Sequence, residues 1–429
     1  MKLNNKRTIL VGLAFMSICA FWQVYDNVVP LILKNTFGMD ATTTGLIMGI
    51  DNVLALFMLP LFGMFSDKTK TKMGRRMPYI LLGTLVAALC VVLLPIAQQQ
   101  KSIVMFMITI GVLLIAMSTY RSPAVALMPD VTIKPLRSKA NAIINLMGAI
   151  GGALMLGATS LLVAKGSDNY FTLFMSLSIL MIVCVAVLFF TVKEPAAVAQ
   201  MREESAAYGI DESSVEVVET KEKMAPEVQK SFWLILASIF LWFMGYNAVT
   251  TGFTRYAEEV WGRGVGDASN ILMVAQVAAI VAYIPVGLIA GKLGRRKTIL
   301  VGIAALTVAF GVSLFFVEFS PLMFVFFALA GIAWAFINVN SYPMVVEMSK
   351  GSDIGKYTGY YYLFSMAAQS VTPMFSGVFI DNLSWGYRTL FPYGALFVAL
   401  SFVTMLFVKH GDSRPEAPKS KIEAFDVED

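Results

Sequence analysis

Twelve long runs of apolar residues divide this chain, and they leave it few folds to choose from. After Lys2, Lys6 and Arg7 the first run extends to about Leu33. The others lie at about 43–65, 78–97, 103–128, 140–164, 170–192, 232–255, 268–291, 298–317, 321–346, 357–381 and 388–408. A helix rises about 1.5 Å per residue and the hydrocarbon core of a bilayer is about 30 Å thick, so each run is long enough to cross once. Lipid offers no partner to a backbone N–H or C=O, and the runs far exceed the roughly ten-residue alternating strands of a membrane barrel. The expected fold class is therefore an all-α membrane protein. The first run is too long for the apolar region of a signal peptide and reads as a retained span. Composition agrees: 57% of 429 residues are hydrophobic and only 14% charged, more apolar surface than a soluble core of this length needs.

The same composition removes several chemistries. Cys19, Cys90 and Cys184 each sit inside an apolar run without paired or metal-ligand spacing, and read as small buried hydrophobes. The only histidine, His410, stands where the last run meets a charged tail, which leaves no histidine within the membrane for a metal or proton site. No nucleotide-binding loop or catalytic triad spacing occurs, so neither an ATP-driven pump nor an enzyme is supported, and no cofactor or metal is expected. Carboxylates, amides, hydroxyls and aromatic rings must carry the function.

An even number of spans puts both termini on one side. Lys and Arg number 27 in the segments on that side and 6 on the other (Lys34, Lys101, Lys165, Arg255, Arg263 and Arg388), which predicts cytoplasmic termini. The densest cationic segment is the turn from Gly63 to Arg76, GMFSDKTKTKMGRR, with Lys68, Lys70, Lys72, Arg75 and Arg76. The net charge of +5 needs no nucleic-acid partner to explain it. Residues 193–230 form the one long polar insertion, with nine acids and five bases, and read as a solvated, partly helical linker. The expected domains are residues 1–192, a linker at 193–230, residues 231–408, and a cytoplasmic tail at 409–429. The halves repeat at an offset of 220: Gly74-Arg75-Arg76 recurs at Gly294-Arg295-Arg296, Pro123 at Pro343 and Asn27 at Asn247. This predicts two pseudo-symmetric six-helix bundles related by an axis along the membrane normal. The second copy of the turn is shorter and lacks the acid.

The pattern Gly63, Asp67, Gly74, Arg75, Arg76 resembles the loop between helices two and three of the major facilitator superfamily, and the resemblance covers all twelve spans. The finer spelling, PLFGMFSD followed by GRRMPYI, together with RSPAVALMPDVT from Arg121, resembles the glycoside-pentoside-hexuronide cation symporters and the plant sucrose transporters. That resemblance implies a functional monomer that moves a sugar or glycoside by alternating access. Melibiose-type symporters carry acids in helix two just before the PxxG, where this chain has Ala55 and Leu59, and an acid in helix four, where it has Arg121. The resemblance to sucrose transporters therefore favours a co-transported proton over sodium. At the cytoplasmic ends, Asp67, Arg75, Arg76, Asp130 and Glu347 can form ion pairs that break when an inner gate opens. With Gly63 they take the gate role that the superfamily resemblance implies.

Asp26 and Asp51 are the acids that matter most. Counted at about 1.5 Å per residue, both lie roughly 10–12 Å below the outer surface. A carboxylate at that depth costs on the order of 3 kcal/mol, and a carboxyl group in apolar surroundings holds its proton at higher pH than in water. Two readings follow: proton-coupling groups, or helix-packing acids hydrogen-bonded to Asn27 or Asn52. Gln23, Asp26, Asn27 and Pro30 share one face of the first span. Similar polar and aromatic faces appear at Tyr246, Asn247 and Thr250, at Gln276, at Trp334, Asn338, Ser341 and Tyr342, and at Tyr361, Ser365, Gln369 and Thr372. Amides and ring faces suit a ligand rich in hydroxyls, and interhelical hydrogen bonding is the competing explanation for each of these residues. Arg121, about seven residues from the cytoplasmic end of its span, can bind substrate, pair with an acid or snorkel; Asn141 and Asn145 are placed to face it. Gly148, Gly151, Gly152 and Gly157 should let helices approach closely.

The sequence thus predicts a secondary transporter in a cell (inner) membrane, with the lipid bilayer and a small-molecule sugar or glycoside as its partners. Proton-driven efflux of an amphipathic compound is kept open by 26 methionines. A membrane sensor or assembly partner predicts an elaborated soluble domain that the short linker does not supply.

Overall fold

The computed structural model describes residues 3–133, 136–164, 168–208, 225–346, 348 and 354–412. Its helices are α1 (Asn5–Asn35), α2 (Ala41–Lys68), α3 (Met77–Gln99), α4 (Ile103–Asp130), α5 (Arg137–Leu162), α6 (Phe171–Thr191), α7 (Glu194–Ala207), α8 (Pro226–Trp261), α9 (Val265–Leu293), α10 (Arg295–Ser313), α11 (Leu322–Val346), α12 (Ile354–Asn382) and α13 (Leu390–Leu406). Among the described residues every helix but α7 is long and apolar enough to cross a membrane, giving twelve spans. Of the linker at 193–230, residues 193–208 and 225–230 are described: the first stretch carries α7 and the second begins α8.

Local chemistry sets the helix ends. Asn4 accepts from Arg7 N at the start of α1, Asp40 from Thr43 N at the start of α2, and Ser102 from Met105 N at the start of α4. Hydrogen bonds from Thr43 hold the Asp40 carboxyl below the usual carboxylate range, the side-chain bond more than the backbone one. Helix α8 stops at Gly262, whose φ of 61° is the left-handed conformation that favours glycine; Arg263 N reaches back to Ala257 O. The span was expected to end at 255. It continues because Arg255, Tyr256 and Ala257 are buried against their own unit.

The chain clusters into two compact units, Met1–Gly38 with Val53–Val215, and Met39–Asn52 with Glu216–Asp429. In the first, α1 packs on α4, α5 and α6, and α3 packs on α4 and α6. In the second, α8 packs on α12 and α13, and α10 on α11 and α13. The pairings α1·α5, α1·α6, α3·α4 and α3·α6 thus recur as α8·α12, α8·α13, α10·α11 and α10·α13. The N-terminal part of α2 belongs to the second unit, where Asp381 of α12 accepts from Ala41 N, Thr42 N and Thr42 Oγ1. Small residues permit the tightest crossings. A Cβ on Gly151 of α5 would collide with Met16 O of α1, and one on Gly331 of α11 would collide with Ala275 O of α9. Helix α3 keeps one apolar face outward: its Leu82, Leu85 and Leu89 are exposed while Ile80, Ala87, Val91 and Leu94 are buried. That is the inside-out pattern a lipid solvent requires.

Candidate substrate wall and inner gate

The cationic turn between α2 and α3 folds around Gly74. Its φ of 112° closes the turn, with Gly74 N donating to Thr71 O and Thr71 Oγ1 to Gly74 O. This places Arg75 and Arg76 between two acids. Arg76 Nη2 lies 2.5 Å from Asp67 Oδ1, and Arg76 Nε donates to Asp130 Oδ2 at 2.8 Å. Its Nη1 donates to Ser66 Oγ at 2.5 Å and points at Gly63 O. Arg75 makes a two-pronged pair with Asp130, Nη2 to Oδ1 at 2.5 Å and Nε to Oδ2 at 3.1 Å, and stands 3.9 Å from Asp67. Burial works against the Arg75 charge, but the Asp130 hydrogen bond and the charges of Asp130, Asp67 and Glu194 outweigh it and raise its pKa. Gly63 has Ser122 Oγ of α4 only 3.0 Å from where a Cβ would be. Five of the six predicted gate residues, Gly63, Asp67, Arg75, Arg76 and Asp130, therefore meet at the ends of α2, α3 and α4. Glu347 lies outside the described residues.

The other predicted residues divide between the units. In the first, Gln23 and Asp26 of α1 are half-buried and Asn27 is buried, its Nδ2 donating to Gln23 O at 2.7 Å. The Gln23 side chain reaches α5, its Oε1 lying 3.3 Å from where a Cβ on Gly152 would be. Arg121 on α4 and Asn145 on α5 are half-buried. In the second unit, Asn52 Nδ2 donates to Asp51 Oδ1 at 2.9 Å, both residues being half-buried on α2. Asp26 and Asp51 thus belong to different units.

The second unit also forms an aromatic wall. Tyr246 of α8 stacks on Trp334 of α11, ring centroids 3.7 Å apart and planes within 7°, and Phe243 meets Trp334 edge-on. Asn247 follows Tyr246 on α8, and its buried Nδ2 has no hydrogen-bond partner among the described residues. Asn338, one helical turn beyond Trp334, is buried, and its carbonyl accepts from Ser341 Oγ, which also bonds the Tyr361 hydroxyl. Tyr342 meets Tyr361 edge-on at 5.4 Å. Gln276 and Gln369 are half-buried on α9 and α12.

Residues 10–351 match the family model described as MFS/sugar transport protein. The chain belongs to that family. Among curated relatives it is 28% identical over 142 residues to the sucrose transport protein SUC3 of Arabidopsis thaliana, covering 29% of this chain and 24% of the relative. It is 25% identical over 202 residues to the putative glycoside/cation symporter YagG of Escherichia coli K12, covering 45% of this chain and 44% of the relative. The aligned parts thus span less than half the length of either relative. Among solved structures, a mutant form of the nucleoside transporter NupG superposes with a TM-score of 0.68 at 14% identity, covering 94% of this chain and all of that one. A proton-dependent oligopeptide transporter gives 0.69 at 12% identity over 94% of this chain and 97% of its own. These two share the fold. The chain is a multi-pass membrane protein of the MFS/sugar transport family.

Two well-placed acids escaped sequence reasoning. Glu194 opens α7 and is buried against the turn between α2 and α3, and Asp381 holds the first turn of α2. No local spacing marks either, because each acts on backbone N–H groups far away in the chain. Arg255, counted above only as an outer positive charge, is buried over the Tyr387 ring at 4.9 Å.

Proposed function

We propose that the chain carries out proton-coupled symport of a sugar or glycoside by alternating access. Asp26, and with it Asp51, carries the proton. The observation that carries the substrate reading is the Tyr246–Trp334 stack, with the unpartnered amide of Asn247 on the next residue of α8. A sugar offers an apolar C–H face to a ring and hydroxyls to an amide, and this wall has both. The family and the partial likeness to a sucrose transporter and a glycoside/cation symporter support the same class. Gln23, Asn27, Asn52, Arg121, Asn145, Gln276, Asn338, Tyr342, Tyr361 and Gln369 are the further candidate contacts. Asp67, Arg75, Arg76 and Asp130 close the cytoplasmic side. The reading includes a functional monomer in the cell membrane with both termini cytoplasmic.

The test is uptake of labelled sugars into proteoliposomes under a pH gradient and, separately, a sodium gradient, for the native chain and Asp26→Asn. Accumulation driven by the pH gradient, and reduced in Asp26→Asn to simple equilibration, is the expected result. Drive by sodium alone overturns the proton assignment. Accumulation of no sugar under either gradient overturns the substrate class and favours efflux.

A further inference from the structure

The Glu194 carboxylate is 2% exposed and spends both oxygens on one turn of backbone. Oε1 accepts from Arg75 N at 2.7 Å and Arg76 N at 3.0 Å; Oε2 accepts from Arg76 N at 3.1 Å and Met77 N at 2.9 Å. These N–H groups stand at the start of α3, where a helix lacks intrahelical acceptors and carries its positive end. Arg76, at the capping position of α3, makes no side-chain cap of its own. The cap comes instead from a residue more than a hundred positions away. Gly74 is shaped for it, since a Cβ there would collide with Glu194 Cδ.

The device recurs. In the second unit Asp412, just beyond the last span, accepts from Arg296 N at 3.0 Å, and a Cβ on Gly294 would lie 2.7 Å from its Oδ1. The shorter second turn, from Gly287 to Gly294, holds no acid to match Asp67. The backbone cap is thus kept in a half that lacks the acid, so it is a separate feature from the ion pairs. In the first half the two are joined, because the N–H groups Glu194 holds belong to the residues whose guanidinium groups reach Asp67 and Asp130. Glu194 itself is held by α7, where Met201 packs with Ile133, Leu136 and Leu3, and Gln200 accepts from Arg7 Nη1 at 3.1 Å.

We infer that Glu194 is a positioning residue of the inner gate: through it the linker helix α7 fixes the backbone of the turn so that Arg75 and Arg76 point at Asp130 and Asp67. This rests on the reading of that turn as a transporter gate. The linker is then a working part of the first half, and displacement of α7 releases the gate.

The test compares full-length Glu194→Ala, Glu194→Gln and Glu194→Asp with Asp412→Asn in proteoliposomes. In Glu194→Ala, hydrogen exchange at Arg75, Arg76 and Met77 should accelerate about tenfold or more, with Arg296 unchanged, because a charge-assisted bond is lost only in the first half. Maximal uptake rate should fall about tenfold with substrate affinity within about twofold, since the residue biases states without touching substrate. Glu194→Asp should recover part of the rate, Glu194→Gln should fall between, and Asp412→Asn should leave the exchange at Arg75 to Met77 as in the native chain. If Glu194→Ala is not recovered folded, Glu194→Gln decides. Should the native chain carry none of the sugars, the sugar reading fails alone. Glu194 is then judged by maleimide labelling of Met77→Cys, placed under the turn in a background without Cys19, Cys90 and Cys184. Labelling that rises several-fold on loss of Glu194 supports the inference. Unchanged exchange, uptake rate and labelling in Glu194→Ala or Glu194→Gln overturn it.

Discussion

Arg76 shows how much one side chain ties together in the turn between α2 and α3. Its guanidinium is buried, with 5% of the side chain exposed, against Asp130 at 11% and Asp67 at 54%. Removing Asp130 leaves a buried cation short of its counter-charge. Asp130→Ala should therefore cost about 3–5 kcal/mol, read as a lowered Tm in detergent. The Asp67 pair is half in water, and Asp67→Asn should change stability by about 1 kcal/mol or less. Its effect is expected in function instead: substrate binding retained and turnover crippled, measured by equilibrium binding beside initial uptake rates. Asp67, Arg75, Arg76 and Asp130 were legible in the sequence because acids and cations stand together at span ends, where they can form ion pairs, and because the turn resembles the superfamily loop. Glu194 was not legible. Its partners are backbone amides, which every residue has, so nothing in the spacing points to it.

At the scale of helices, glycines divide by what surrounds them. Gly151 of α5 abuts Met16 O of α1, while Gly111 of α4 has nothing within 4 Å of a notional Cβ. Gly151→Ala should cost about 1–3 kcal/mol by forcing the two helices apart, and Gly111→Ala should be neutral or stabilising by up to about 1 kcal/mol. Thermal unfolding of the two variants side by side checks the contrast. The glycine-rich face of the fifth span was visible in the sequence, but its partner helix was not, since the pattern states only that something comes close. The Asp40 cap adds a pH dependence. Its carboxyl is held below its ordinary range, so its contribution to the start of α2 is present above that range and is lost as pH falls through the lowered value. The aromatic wall is likewise an assembly of elements: Tyr246 and Trp334 lie on α8 and α11 and meet face to face only because α8 and α11 share a unit.

For the whole molecule, the distribution of Lys and Arg predicts an orientation. A reporter fused after Asp412 should be active only in its cytoplasmic form, as fluorescence that folds inside or as an alkaline phosphatase that stays silent; the opposite pattern reverses the topology. The sequence by itself determined the fold class, the number of spans and the two-fold repeat, because lipid imposes a length and an internal hydrogen-bonding rule on every crossing segment. It also marked which polar residues are costly enough to need a reason. The tertiary structure decided what those residues touch: that Arg75 and Arg76 turn toward Asp130 and Asp67, that Tyr246 lies flat on Trp334, and that Asp26 and Asp51 fall in different units. It alone showed Glu194 beneath the turn. The physical reason is range. Hydropathy is a sum over neighbours in the chain, whereas a hydrogen bond to a distant backbone amide depends on packing that only the folded units bring about.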